Sequence, residues 1–471
     1  MSRNKVVRSP LSFPLQSLRA VAISAAAIAL LAGCGGPSGS ASQTDPASPS
    51  VSAPATTPGA SPSVSPSASN SAEPSPGASA SPSPSASASP AAKPTEGSAS
   101  SDPIKDRIAK MSLEEKIGQM ILAGFEGAAA PDASTLRMIR EDRIGGVILY
   151  KDNIADVAKT VKLINAIKAA NAKAGNAPLF VSVDQEGGKV SRLPSSYKKI
   201  PDAAVVGKTG DEKLATRMGE LLAREVRSAG FNVDFAPVLD INSNPDNPVI
   251  GTRSFGTTAG LATRMGLAAM RGLREEGVVS VVKHFPGHGD TAVDSHLDLP
   301  VLNKTAEQLA KLEWVPFQAA IGQHADAVMV AHILFPKIDP EAPASFSKVI
   351  IGDQLRGKLG FKGVVITDDM TMGAIAKHYD LADAAVKSVS AGSDILLVAH
   401  GYDVERKVYK ALLNAVHGGK LTEARIDESV TRILTLKARY KLSDAATAVP
   451  ELQSLNADIG AWLNDVTNAN R

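Results

Sequence analysis

From about residue 102 onward, two hydrophobic textures alternate along the chain. One is a set of short, continuous apolar runs: Gly118–Phe125, Ile144–Tyr150, Leu179–Asp184, Val233–Leu239, Val278–His284, Ala327–His332, Gly363–Asp368 and Asp394–Ala399. They are rich in β-branched and bulky residues and mostly do not alternate with polar ones. That is the pattern of strands buried on both faces of a parallel sheet. Between most of them lie helical patterns. Ile154, Val157, Val161, Ile164 and Ile167 recur at helical spacing behind Asn153, which is read as the N-cap. Ser112 with Glu115, and Thr305 with Gln308, have the spacing of capping boxes. About eight βα units over roughly 330 residues predict an α/β fold, a (β/α)8 barrel of TIM type with enlarged loops. A doubly wound open sheet is the alternative, weakened because no G-x-G-x-x-G follows the first run.

The ends of the runs are polar. Asp184 ends the third, Asp240 follows the fourth, and Lys283-His284 end the fifth; His332 and Asp368 end the sixth and seventh, and His400 follows the eighth. In a barrel these positions line the C-terminal rim, where catalytic groups collect. Asp240 reads equally well as a turn residue, and His332 and His400 as structural groups, so the three stay off the candidate list. Met329, Met370 and Met372 read as core or pocket wall.

The segment Lys283-His284-Phe285-Pro286-Gly287-His288-Gly289-Asp290, followed by Asp294-Ser295-His296, carries the clearest chemistry. Its proline and glycines exclude a regular helix and point to a mobile loop able to bring His296 over a substrate. Asp294 is close enough in sequence for a local turn to set its carboxylate against the imidazole, fixing the tautomer. An imidazole with a pKa of about 6.5 both donates and accepts a proton near neutrality. Opposite it, Asp368 in Thr367-Asp368-Asp369 is a candidate nucleophile for a covalent glycosyl intermediate.

The first hundred residues differ in kind. Lys5, Arg8 and Arg19 precede an apolar run from Ala20 to Ala32, too short for a membrane span and suited to a signal peptide covering 1–33. The run ends Leu31-Ala32-Gly33-Cys34, which resembles a bacterial lipobox, with Cys34 the expected lipidation site. From there to residue 101 the chain is almost wholly Ser, Ala, Pro and Gly, read as a disordered linker. The expected barrel occupies 102–442, and 443–471 is read as a C-terminal tail.

Composition narrows the function classes. A net charge of +2 without a long basic block argues against nucleic-acid binding, and 4% aromatics against dense stacking platforms. The single cysteine excludes intrachain disulfides and a cysteine-based metal cage. No metal or cofactor is expected. Three rivals remain open: a metal-dependent hydrolase using His284, His288 and Asp368, a silent sugar-binding surface lipoprotein, and a phosphorylase.

Residues of about 102–440 resemble glycoside hydrolase family 3, of the β-N-acetylhexosaminidase type that includes bacterial muropeptide-recycling enzymes. The motifs that carry the resemblance are Val183-Asp184-Gln185-Glu186-Gly187-Gly188, Ile250-Gly251-Thr252-Arg253-Ser254-Phe255, the Lys283–Asp290 loop with Asp294-Ser295-His296, and Ile366-Thr367-Asp368-Asp369. The resemblance implies that Asp368 is the nucleophile, and that Asp294 and His296 form the acid/base dyad. It further implies that Asp184, Arg192, Arg253, Lys283 and His284 hold the sugar hydroxyls and acetamido group. Lys189 stands where many relatives carry arginine. The expected protein is a monomeric, lipid-anchored, extracytoplasmic glycosidase acting on a small oligosaccharide or muropeptide.

Overall fold

The computed structural model describes residues 102–471, so the expectations for the signal peptide, Cys34 and the linker lie outside the described residues. Eight parallel strands run β1 Ile121–Ala123, β2 Gly146–Ile148, β3 Phe180–Val183, β4 Val233–Asp234, β5 Val279–Phe285, β6 Ala327–Val330, β7 Val364–Thr367 and β8 Leu396–Val398. Each pairs with its sequence neighbours: Leu122 lies opposite Gly146, Val147 opposite Val181, Ser182 opposite Val233, and Val328 opposite Val365. β1 also pairs with β8, and a parallel bridge from Ile366 to Ile395 joins β7 to the start of β8. The sheet therefore closes. The barrel expected from the unbroken apolar runs is the observed architecture, and the open sheet is not.

The strands are shorter than the runs. Residues Leu113–Gln119 form a helix started by the expected Ser112/Glu115 capping box, so the first strand begins only at Ile121. In the fourth run only Val233 and Asp234 are ladder-paired, and Val238 makes a lone bridge to Lys283. The Thr305/Gln308 capping box is also present. The Asn153 expectation is corrected. Asp156 caps the helix Val157–Ala174, accepting from the Lys159 N–H. Asn153 instead ties two rim loops, its amide donating to the carbonyls of Phe125 and Gly127 at 2.8 and 3.0 Å. A short polar residue satisfies either a helix end or a turn, and the local sequence does not separate the two.

The outer layer needs small residues where helices meet. Helices Glu212–Ser228 and Ala259–Glu275 approach so closely that a Cβ on Gly219 would lie 2.1 Å from the Ala269 carbonyl oxygen. The segment 443–471, read as a tail, is instead part of the body. Its helix Gln453–Ala469 buries Leu455, Ile459, Trp462 and Val466, and the Trp462 indole donates to the Leu214 carbonyl at 3.1 Å. Those four positions are spaced as one helical face, so the periodicity was present in the chain.

One buried acid lacks partners. Glu405 is 1% exposed and neither carboxyl oxygen has a hydrogen-bond partner. Burial pushes its carboxyl up to about 8, the nearby Asp142 adding to the rise and Arg406 opposing it. Below the ordinary value of 4.5 both folded and unfolded states are protonated, and stability is lost as pH rises from there through about 8. Glu405→Gln is expected to flatten that slope and to stabilise the protein near pH 8 by up to about 4 kcal/mol. Urea unfolding near pH 5 and near pH 8 checks it; equal pH slopes in the two proteins would contradict the account.

Candidate active site

The polar strand ends converge on one pocket at the C-terminal rim, a cavity of about 170 Å³. Asp184, Arg192, Arg253, Lys283, His284, His296 and Asp368 all line it. Asp294 stands behind His296.

A cationic wall forms first. Lys283, 1% exposed on β5, reaches Asp184 Oδ1 at 2.6 Å and Glu186 Oε1 at 2.7 Å. Arg253 forks onto Glu186, Nε to Oε2 at 2.8 Å and Nη2 to Oε1 at 2.7 Å. Burial alone would push the Glu186 carboxyl up, but Arg253 and Lys283 outweigh it and hold it far below the usual range. Burial likewise opposes the Lys283 charge, and Asp184 and Glu186 raise its pKa in spite of it. The result is an ionised network whose members Asp184, Glu186, Arg253 and Lys283 all line the cavity. Arg192 lines the pocket and makes no ion pair among the described residues, which leaves its guanidinium for a ligand.

His284 is set by Asp240. The buried Asp240 carboxylate accepts from the His284 backbone N–H at 3.1 Å and its Nδ1 at 2.6 Å, and from the His288 N–H at 2.7 Å. The Nδ1 proton therefore points at Asp240, and Nε2 is left as an acceptor toward Arg253 Nη2, 3.4 Å away. Asp240 is thus a carboxylate that orients a pocket imidazole, beyond the turn role open to it in the sequence.

The nucleophile candidate leaves β7 at its rim. Its N–H donates to the Val330 carbonyl, and its Oδ1 accepts from the Asp369 N–H at 2.9 Å. Burial disfavours the Asp368 charge. The imidazoles of His284, His332 and His296 and the Asp369 N–H more than offset that, so its carboxyl sits below the usual range and is ionised at neutral pH. His332 is buried behind it, bonded to Ser345 Oγ at 2.6 Å and to the Asp369 carbonyl at 3.0 Å. Across the pocket Asp294 Oδ1 accepts from both the His296 N–H, at 2.9 Å, and its Nδ1, at 2.7 Å. That leaves Nε2 for a substrate. The Asp294 carboxyl, opposed by partial burial, is held low chiefly by these His296 contacts.

The Glycosyl hydrolase family 3 N terminal domain profile matches residues 112–436. The chain belongs to glycoside hydrolase family 3. Beta-hexosaminidase A of Pseudoalteromonas piscicida is 36% identical over 357 residues, covering 69% of this chain but only 60% of that relative's length. A Beta-hexosaminidase of Stenotrophomonas maltophilia is 36% identical over 313 residues, covering 65% of this chain and 90% of the relative. Among solved structures, a family 3 β-N-acetylglucosaminidase from Paenibacillus sp. str. FPU-7 is 42% identical with a TM-score of 0.72, covering 75% and 68% of the two chains. The beta-glucoside phosphorylase BglX is 26% identical with a TM-score of 0.69, covering 78% and 66%.

Within this family 3 pocket stand two residues, Glu186 and His400, that the candidate list left out. Glu186, quoted only as part of a motif, is the carboxylate that holds Arg253 and Lys283 together. Its signal was an acid placed two residues beyond a strand-end aspartate. His400 reaches the rim with its ring stacked on Tyr150, centroids 5.5 Å apart. His288 points away from any metal role: Nδ1 bonds Thr291 Oγ1 at 2.8 Å and Nε2 bonds Ser295 Oγ at 2.9 Å. Among the described residues, no group of three or more His, Cys, Asp or Glu is placed to hold a metal ion. Cys34 lies outside the described residues.

Proposed function

We propose that the protein is a retaining β-N-acetylglucosaminidase that removes terminal, non-reducing β-linked N-acetylglucosamine. Membership of glycoside hydrolase family 3 supplies the reaction class, cleavage of a glycosidic bond. The observation that carries the finer reading is one small pocket shared by the ionised Asp368 and by His296, whose Nδ1 is held by Asp294. A cavity of about 170 Å³ suits a single sugar ring, which favours exo-action. The hexosaminidase names of the relatives support an acetamido sugar in it.

In the first step an Asp368 oxygen attacks the anomeric carbon as the bond to the leaving oxygen breaks. His296 Nε2–H gives its proton to that oxygen, and a glycosyl ester on Asp368 remains. In the second step His296 removes a proton from water, the water oxygen bonds the anomeric carbon, and Asp368 is released. Two displacements retain configuration. Lys283, Arg253, Arg192, Asp184 and His284 supply donors and acceptors for the ring hydroxyls and acetamido group.

Phosphate as the acceptor is a second reading, favoured by two features. A neutral imidazole repels phosphate less than a carboxylate would, and Arg192 at the pocket makes no ion pair among the described residues. A fold relative named as a beta-glucoside phosphorylase supports it further. The lipobox-like segment ending at Cys34 and the Ser/Ala/Pro linker support a lipid-anchored enzyme outside the cytoplasm, with cell-wall or muropeptide fragments as its substrates.

The test is release from p-nitrophenyl N-acetyl-β-glucosaminide and from chitobiose, against the β-glucoside analogue, with and without inorganic phosphate. Turnover of the acetamido sugars alone is expected. His296→Ala is expected to lower kcat/KM on chitobiose by about 10²–10⁴-fold, the usual worth of a positioned acid/base. Preference for the plain glucoside would overturn the acetamido assignment, and a sugar phosphate as main product would move the enzyme to the second reading.

A further inference from the structure

The acid/base imidazole is held in place almost entirely by its backbone. The His296 side chain is 63% exposed, and its one side-chain hydrogen bond is to Asp294 on the same loop. Something else must set its distance from Asp368, and the structure shows two anchors.

On the β5 side, His288 grips the loop from beneath. Its ring holds Thr291 and Ser295, and Ser295 is 1% exposed between two accessible neighbours. Asn247 fixes the same turn, its amide donating to the carbonyls of His288 and Thr291 at 2.9 and 3.0 Å. Burial pushes the His288 imidazole down to about 4, so it acts as a neutral hydrogen-bonding strut at neutral pH.

On the β7 side, the chain just after the nucleophile closes over the loop. The N–H groups of Gly373 and Ala374 donate to the carbonyls of His296 and Ser295, each at 3.1 Å. Gly373 permits this contact, since a Cβ there would lie 2.7 Å from the His296 oxygen and 2.5 Å from that of Leu297. One turn further on, His378 Nε2 meets Asp298 Oδ1 at 2.5 Å across the outer edge of the loop. Lys377 also faces Asp298 electrostatically, and Tyr379 lies beside the His378 ring.

We propose that Asp298 and His378 are positioning residues for catalysis: their hydrogen bond clasps the dyad-bearing loop to the segment that follows Asp368, and so sets the reach of His296 over the pocket. Neither residue lines the cavity. The pair acts through geometry. Misplacing a reacting group by about 1 Å costs on the order of 10²-fold in rate, so a clasp that holds a glycine-containing loop has large leverage. This inference rests on the reading of His296 as the acid.

The experiment exploits what an acid is needed for. A dinitrophenyl leaving group departs without protonation, whereas a phenyl group needs the proton. Asp298→Ala, His378→Ala and the double variant of the full-length protein are assayed on dinitrophenyl and phenyl N-acetyl-β-glucosaminides. Thermal unfolding is measured alongside. Each single variant is expected to lose about 10–100-fold in kcat/KM on the phenyl glycoside and about twofold or less on the dinitrophenyl one. The double variant is expected to be no worse than either single, because the two residues act as one clasp. His378→Gln, which keeps a donor, is expected to recover part of the loss. Equal losses on both substrates, or none on either, would overturn the clasp. His296→Ala run in parallel separates the premises: absence of leaving-group selectivity there would overturn the acid assignment itself.

Discussion

Asp368→Asn is expected to lower kcat/KM on p-nitrophenyl N-acetyl-β-glucosaminide by on the order of 10⁴-fold, about 5.5 kcal/mol of transition-state stabilisation. The amide keeps the size of the side chain and an oxygen for the Asp369 N–H, so the pocket stays shaped while the nucleophile is lost. Stability should change little, because among the described residues Asp368 makes no ion pair with a lysine or arginine that would be left uncompensated. A second measurement fixes the role as well as the need. In Asp368→Ala, added azide is expected to restore turnover by attacking the anomeric carbon directly and to yield the α-glycosyl azide, inverted because only one displacement occurs. Activity that survives both substitutions would remove the covalent mechanism altogether.

Lys283→Met is expected to cost about 3–5 kcal/mol of folding stability as well as most of the activity. The lysine ammonium bridges Asp184 and Glu186 in a site that is almost fully buried, and methionine fills the space without the charge. Glu186 would keep its Arg253 fork, but Asp184 would lose the one ion-pair partner it has among the described residues. Breaking one member of a buried network leaves the others desolvated and unpaired, which is why the effect exceeds that of a surface pair. The sign with pH follows from the depressed Glu186 carboxyl. Its contribution is present above the unfolded value of 4.5 and is lost only as pH falls toward the much lower folded value. The difference between wild type and Lys283→Met in urea unfolding should therefore be full at neutral pH and shrink in acid. A difference below about 1 kcal/mol at neutral pH would mean that the network is not ionised as described.

The substrate wall and the clasp differ in how far they were legible beforehand. Asp184, Lys283, His284 and Asp368 were marked by a local signal, a polar residue ending an apolar strand run. Asp294 and His296 were marked by their spacing and by the glycines before them. Asp240 and His332 stood at strand ends too but read equally well as a turn residue and a structural group, and Glu186 and His378 carried no comparable signal. An acid after a strand or a histidine in a loop is common in any surface sequence. Each gains its meaning only from a partner 37–80 residues away. The misread elements have the same cause. Asn153 and Asp156 were both competent caps, and which one starts the helix depended on Asn153 reaching the carbonyls of Phe125 and Gly127 on another loop.

By itself the sequence determined a parallel sheet wrapped by helices, because eight apolar runs separated by helical stretches bury both faces of each strand only that way, and the pairing of β1 with β8 then closed it into the barrel. The sequence also determined which residue types stand at the rim, because strand ends are where an apolar run must give way to solvent. Only the tertiary structure decided which of those groups are charged and where their protons lie. Asp184 and Lys283 are 99 residues apart and meet at 2.6 Å. A pKa or a tautomer is a property of such a meeting, set by burial and by a partner's field, and neither exists until the barrel has closed.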